Sequence, residues 1–397
     1  MINFVAEGRA LLPELVRLRR ALHADPEIGL TLPRTQQRVL TALHGLDLEI
    51  STGTRTTSVV AVLRGARPGP TVLLRGDMDA LPVAERSGVD FAATNGNMHA
   101  CGHDLHVAGL VGTARLLAAH REALAGSVIF MFQPGEEGYG GAKVMLEEGL
   151  LTAAGPQPPV AAYAIHVSTG PKGVFATRSG PFNASANRLH ITVHGRGGHG
   201  SRPYQSIDPV PAVAEIVTAL HTMVTRSFNV FDPVVLTVTQ LSAGEAINVI
   251  PSSASLGATI RTLSQESTDR IGRMSRQLAD GIAAAHGCTA EVDFTTTYPV
   301  TATDPDCTEA AMATLGAVFG RDRTAVNPHP SMGSEDFSFV LEQVPGAFFQ
   351  LGAAPSDYLL ERDGNNHSPT IRFDDAVLGD QAAALAHLAC QHLDVRS

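Results

Sequence analysis

The chain has 397 residues, more than one hydrophobic core ordinarily serves, so two domains are expected. With 44% apolar and 17% charged residues it has the make-up of an ordered globular protein, and a net charge of −10 without any Lys/Arg-rich run argues against a nucleic-acid partner. Four cysteines (Cys101, Cys288, Cys307 and Cys390) are too few and too scattered for a disulfide framework.

The N-terminal stretch MINFVAEGRALLPELVRLRRALHADPEIG sets apolar residues at helical spacing, interrupted by Glu7 and Glu14. A signal peptide needs a basic start and an unbroken apolar run, and no stretch approaches the ~18 apolar residues of a membrane helix. With the sparse cysteines, this makes a reducing cytoplasm the expected location and leaves no role for a membrane.

From about residue 58 short β-rich runs alternate with helical patterns. TVLLRGDMDALP (71–82) reads as a buried strand ending in a polar turn, LHVAGLVGTARLLAAHREAL (105–124) as a helix, and SVIFMFQPGEEG (127–138) as a second strand ending in a Pro/Gly turn. GAKVMLEEGLL (141–151) is helical and VAAYAIHV (160–167) is a third strand. Such alternation predicts an α/β domain with a mostly parallel sheet between helices and a ligand site beyond the carboxyl ends of its strands. The polar turns at 76–79, 134–138 and 166–168 all follow directly on strands.

Around residue 184 the pattern changes. RLHITVHG, PVVLTVTQL, SASLGATIRTL and TAEVDFTTTYP alternate as strands, with helical patterns in PVPAVAEIVTALHTMV and over 266–286. That β-α-β-β-α-β order is ferredoxin-like. It predicts an α+β domain inserted at 184–298 between two parts of a catalytic domain, 1–183 and 299–397. The last part carries helices near 306–319 and 374–393 and the strand GAFFQLG.

NMHACGHDLH (97–106) concentrates the chemistry. A cysteine hydrolase usually brings its imidazole from a distant segment, and two residues between Cys101 and His103 make that geometry awkward. Cys-x-His suits a metal, since a loop can aim a thiolate and an imidazole at one point. A buried free cysteine beside surface histidines is the plain alternative. Asp104, directly before an apolar helix, either caps its N-terminus or holds the imidazole.

PGEEG places Glu136 and Glu137 at a strand-to-turn junction. Adjacent carboxylates on a surface usually mean only solvation. Beside a metal they divide labour: one binds the ion and its neighbour takes a proton from water. His166 ends the strand AAYAI and His367 lies in GNNHSP; each alone is more often structural, and the functional case lies in their convergence at one sheet edge.

In order along the chain, GDMDALP, HACGHD, QPGEEGYGGA, IHV, GRGGHGSRP, INVIP, SMGSEDF and NNHSP resemble the metal-dependent amidohydrolases that include hippurate hydrolase, auxin-conjugate hydrolases and N-acyl-amino-acid amidohydrolases. These are relatives of aminoacylase and the zinc carboxypeptidases, and the similarity runs from about residue 15 to 390. The resemblance implies that Cys101, His103, Glu137, His166 and His367 hold two divalent ions (zinc, manganese, cobalt or nickel), with the Cys101 thiolate able to bridge them and Glu136 as general base. Asp79 matches an aspartate that orients a ligand; its plain alternative is a turn residue satisfying backbone N–H groups. Asp77 stands where the wider superfamily commonly carries a ligand histidine, which leaves it at most a supporting role.

GRGGHG (195–200) formally fits a dinucleotide fingerprint, but the loop that follows offers no helix N-terminus for a pyrophosphate. The resemblance instead makes His199 a donor to the developing oxyanion, commonly in the partner subunit's site, and gives Asn248 and Arg261 to the substrate amide and carboxylate. A mobile surface loop and a strand-end salt bridge are the plain readings of these residues. The implied reaction is hydrolysis of an N-acyl amino acid, with dipeptidase or carboxypeptidase action as the nearest alternative. A homodimer or homotetramer formed through the inserted domain, acting also as a lid, is implied as well. A thiol hydrolase using Cys101 and a non-catalytic binding module are the rivals from other classes.

Overall fold

The computed structural model describes residues 2–395. Two compact units make up the chain: Met1–Phe182, Ala302–His329 and Asp336–Ser397 form the first, and Asn183–Thr301 with Pro330–Glu335 the second.

A nine-stranded sheet runs through the first unit. Its centre is parallel, in the order Leu124–Gln133, Arg67–Asp77, Ala161–Ser168 and Gly346–Gly352. These strands are apolar runs because helices cover both faces. Outside them, Val59–Arg64 joins Leu124–Gln133 antiparallel, and Phe175–Thr177 joins Gly346–Gly352 antiparallel, so the sheet is parallel at its centre and mixed towards its edges, in keeping with the expected mostly parallel sheet.

The helix His103–Ala119 is apolar nearly all round, and its interior position follows from that. It lies against Phe4–His23 and Leu378–Cys390. Where those two outer helices cross, a Cβ at Gly8 would stand 2.4 Å from the carbonyl oxygen of Gly379, so only glycine permits the approach. The central helix begins two residues before the expected 105 and ends at Ala119, followed by a 3₁₀ turn at Arg121–Ala123.

Register brings the chemistry to one edge. Asp77 pairs with Gln133, His166 with Gln350, and Arg75 with Ala164, so the parallel strands end nearly flush. The loops carrying Asp79 and Glu136 leave from that carboxyl edge.

The second unit is a four-stranded antiparallel sheet in the order Val235–Ala243, Ser253–Arg261, Ala186–His194 and Thr289–Tyr298. Pro209–Ser227 and Gln265–Ala285 pack on it, giving the ferredoxin-like arrangement. Alternation drives the packing: Leu189, Ile191 and Val193 point to the helices with Leu256 and Ile260, against Ile216, Leu220 and Ile271. Asp208, followed by Pro209, and Ser264 cap the two helices by accepting the N–H groups of Val210 and Ser267. Among the described residues no helix is long and apolar enough to cross a membrane.

Candidate metal centre

A left-handed turn at Gly102 (φ 86°) ends the Cys101 loop and starts the central helix at His103. A Cβ there would lie 2.3 Å from Cγ2 of Val167, on the strand that carries His166. The close approach sets Cys101 Sγ 3.4 Å from His166 Nε2. Gly102→Ala is expected to lower stability by about 2–4 kcal/mol, from left-handed strain plus overpacking, as a fall in the chemical-denaturation midpoint would report.

Asp79 organises the next loop. Its two carboxylate oxygens accept the backbone N–H groups of Glu136 and Glu137, each at 3.0 Å, while its carbonyl oxygen accepts Nδ1–H of His103 at 2.8 Å. One residue thereby fixes the paired glutamates and leaves His103 Nε2 facing inward. His367 has φ 76°, outside the usual range for a non-glycine residue, and donates its N–H to the carbonyl of Ala100 at 2.9 Å. Its Nε2 lies 3.1 Å from Oε1 of Glu137. Asn366 donates from Nδ2 to the carbonyls of Cys101 and Val167, both at 3.3 Å, tying the segments of Cys101 and His166 together.

Single donors of Cys101, His103 and Glu137 lie within 4.8 Å of one another, as do those of Asp77, His103, His106 and His166. Burial pushes the Cys101 thiol up, but the imidazoles of His166 and His103 outweigh this and hold it well below its ordinary value. Burial opposes protonation of His166, yet the Cys101 thiolate raises it to about 9; hydrogen bonding to Cys101 and Glu137 raises His367 to about 10. The cluster therefore favours positive charge, as a cation site must. His103 Nε2, Asp77 Oδ2 and Glu137 Oε1 are also buried, and their neighbours are other charged or imidazole groups: Arg75 and His103 beside Asp77, and His367 beside Glu137. Thiolate, imidazole and carboxylate donors gathered within 4.8 Å fit a divalent metal.

Asp104 does not cap the central helix, and its carboxylate does not turn towards His103. Oδ2 instead accepts Nδ1–H of His23 at 2.7 Å and lies 2.8 Å from Nε of Arg19, while Nε2 of His23 is 3.0 Å from Glu85. It anchors the N-terminal helix to the start of the central one. His106, which the sequence motifs did not single out, and Asp77, read there as at most a supporting residue, stand at the centre: His106 Nδ1 is 2.5 Å from Asp77 Oδ1, and His103 Nε2 is 3.2 Å from Asp77 Oδ2. Arg75 pairs with Asp77 at 2.9 Å and Asp336 at 3.3 Å, and Gln133 donates to Asp336 at 2.7 Å. The i, i+3 spacing of His103 and His106 was the available signal, since it puts both rings on one helix face.

In the second unit, His199 is exposed and pairs with Val249, and the N–H of Gly200 donates to the carbonyl of Asn248 at 2.8 Å. The His199 and Asn248 loops thus adjoin. His199 Nδ1 accepts the N–H of Ser201 at 3.1 Å, so its neutral ring carries the proton on Nε2, free to donate. Arg261 is at the other end of Ser253–Arg261, roughly 26 Å from the Ser253 end at about 3.3 Å per residue. Burial lowers its guanidinium pKa.

The chain is 38% identical to "Thermostable carboxypeptidase 2" of Saccharolobus solfataricus over 94% of its length and 93% of that protein's. It is 33% identical to the N-acetylcysteine deacetylase of Bacillus subtilis over 96% and 97%. A crystal structure from Bacillus subtilis, described as a dinuclear metal-binding peptidase of the M20 family, superposes with a TM-score of 0.81 at 31% identity, covering 96% of this chain and 98% of that one. With the family pattern matched over residues 73–391, the chain belongs to peptidase family M20/M25/M40.

Proposed function

We propose that this chain hydrolyses the amide bond of N-acyl amino acids, releasing a carboxylate and a free amino acid, at a two-cation centre held by Cys101, His103, Glu137, His166 and His367. The observation that supports it most is the meeting of Cys101, His103 and Glu137 donors within 4.8 Å, with the buried Glu136 next to Glu137 in the chain. Bound divalent cations supply Lewis acidity, polarising the scissile carbonyl and bringing the pKa of water towards ~7. Glu136, placed by its backbone bond to Asp79, takes the proton of the attacking water and returns it to the nitrogen as the C–N bond breaks. His199 donates from Nε2 to the oxygen that gains charge, and Arg261 receives the substrate carboxylate.

His199 and Asn248 act in this reading within the site of a second copy. They stand at one end of the inserted sheet and Arg261 at the other, a span far longer than a small N-acyl amino acid. One substrate touching both draws them from two chains, which supports a homodimer, or a homotetramer built from it, with the inserted domain as lid. A reducing cytoplasm suits the unmodified Cys101 thiolate. Zinc, manganese, cobalt and nickel all accept this donor set.

The carboxypeptidase relative favours a second reading, peptide cleavage at the same centre. Assaying metal-reconstituted protein on acetyl-, benzoyl-, long-chain acyl- and indoleacetyl-amino acids beside unblocked dipeptides separates the two. The expected result is preference for an N-acyl substrate, activity abolished by exhaustive EDTA treatment and restored by divalent metal. Amide cleavage undiminished by EDTA but ended by thiol alkylation would replace this reading with a Cys101 thiol hydrolase.

A further inference from the structure

Distance alone makes His106 a candidate ligand, since one of its ring nitrogens shares the 4.8 Å cluster of Asp77, His103 and His166. Hydrogen-bond chemistry gives it a different part. Nε2 of His106 is 2.8 Å from the backbone nitrogen of Val167, and a peptide N–H can only donate. That ring nitrogen is therefore the unprotonated acceptor. The proton of the neutral ring sits on Nδ1 and is donated to Oδ1 of Asp77 at 2.5 Å. Both nitrogens are committed, in a ring only 1% exposed.

The next link runs through the same residue. The carbonyl of Val167 accepts Nδ1–H of His166 at 2.7 Å, which leaves Nε2 of His166 directed to the Cys101 side, 3.4 Å from the sulfur. The two imidazoles also pack edge to face, with centroids 4.5 Å apart. Asp77 itself is held from behind by Arg75 at 2.9 Å.

The geometry points to His106 as a positioning residue of the centre and not a ligand: Asp77 sets its tautomer, the ring pins the N–H of Val167, and Val167 through its carbonyl aims His166. The inference rests on the two-cation reading above. It assigns a purpose to Asp77, the aspartate that ends the strand Arg67–Asp77: this carboxylate organises a ligand through an imidazole and the backbone of one residue, Val167.

The test uses the full-length protein with isotope-labelled histidine, read by NMR first metal-free and then loaded with NMR-active cadmium as the probe. His106 is expected to show a protonated Nδ1 and an unprotonated Nε2 in both states. Cadmium coupling is expected at His103, His166 and His367 and absent at His106. Two variants add a functional readout. His106→Gln retains one acceptor and one donor and is expected to keep the wild-type cadmium stoichiometry; His106→Leu keeps only volume and is expected to weaken cadmium binding by about 10- to 100-fold. Cadmium coupling at His106, or a proton on its Nε2, would overturn the assignment, as would wild-type affinity in the leucine variant. Should that variant not fold, the coupling pattern of the wild-type protein and the glutamine rescue still decide. Failure of the parent reading looks different: the wild-type protein would then show no cadmium coupling at any of His103, His166 and His367, and the positioning role would fall with it.

Discussion

Glu136→Gln is expected to retain its full complement of metal and to lose turnover by about 100- to 10,000-fold, the usual contribution of a positioned general base. The substitution keeps the shape of the side chain and removes only its ability to take a proton. The supporting geometry should survive, because the loop hangs from Asp79 by the backbone N–H groups of residues 136 and 137, and neither bond involves the side chain that changes. Glu137 therefore stays in place. Metal per chain measured by elemental analysis, beside kcat on the best N-acyl substrate, separates loss of the base from loss of the centre. Turnover like that of the wild type would remove Glu136 from its role.

The second large effect concerns the sulfur. Cys101→Ala removes the anion that raises His166 and forms the largest influence on His367. Without it the cluster loses much of the negative charge that favours a cation there. Bound metal is expected to fall below two ions per chain. Activity is expected to fall by more than about 100-fold, beyond the usual cost of disturbing a residue that merely supports a ligand. Undiminished metal stoichiometry would exclude the thiolate as a ligand, and retained activity would exclude the thiol chemistry as well. The alanine is smaller than the cysteine, so an unchanged far-ultraviolet circular dichroism spectrum is needed beside the metal analysis.

Several features were legible before any coordinates. The central strands are continuous apolar runs and the inserted domain alternates, so the change from a parallel to an antiparallel sheet near residue 184 could be read from periodicity. Polar turns at the ends of strands marked the carboxyl edge, and Cys101, His103, Glu137 and His166 lie at or beside that edge in the fold. Asp79 was legible by its motif, and its bonds to the glutamate loop give it a physical task.

Other features could not be read that way. Asp104 looked like a cap or a support for its neighbour, yet its partner His23 is 81 residues away, and nothing local announces that a helix from the N-terminus reaches it. His106 and Asp77 are 29 residues apart, and the direction of their hydrogen bond depends on a third group, the N–H of Val167. Arg261 and His199 sit within one small domain, but antiparallel register sends them to opposite ends of its sheet.

By itself, the sequence determined which side chains were candidates for chemistry, how strands and helices alternate, and to which family the chain belongs, because these follow from residue type, motif order and short-range spacing. Only the tertiary structure decided which lone pairs face one another, which imidazole nitrogen holds a proton, and which residues of the inserted domain stand at opposite ends of its sheet. Those depend on partners brought together by packing, and a hydrogen bond's direction is settled by the donor and acceptor it meets, wherever in the chain they originate.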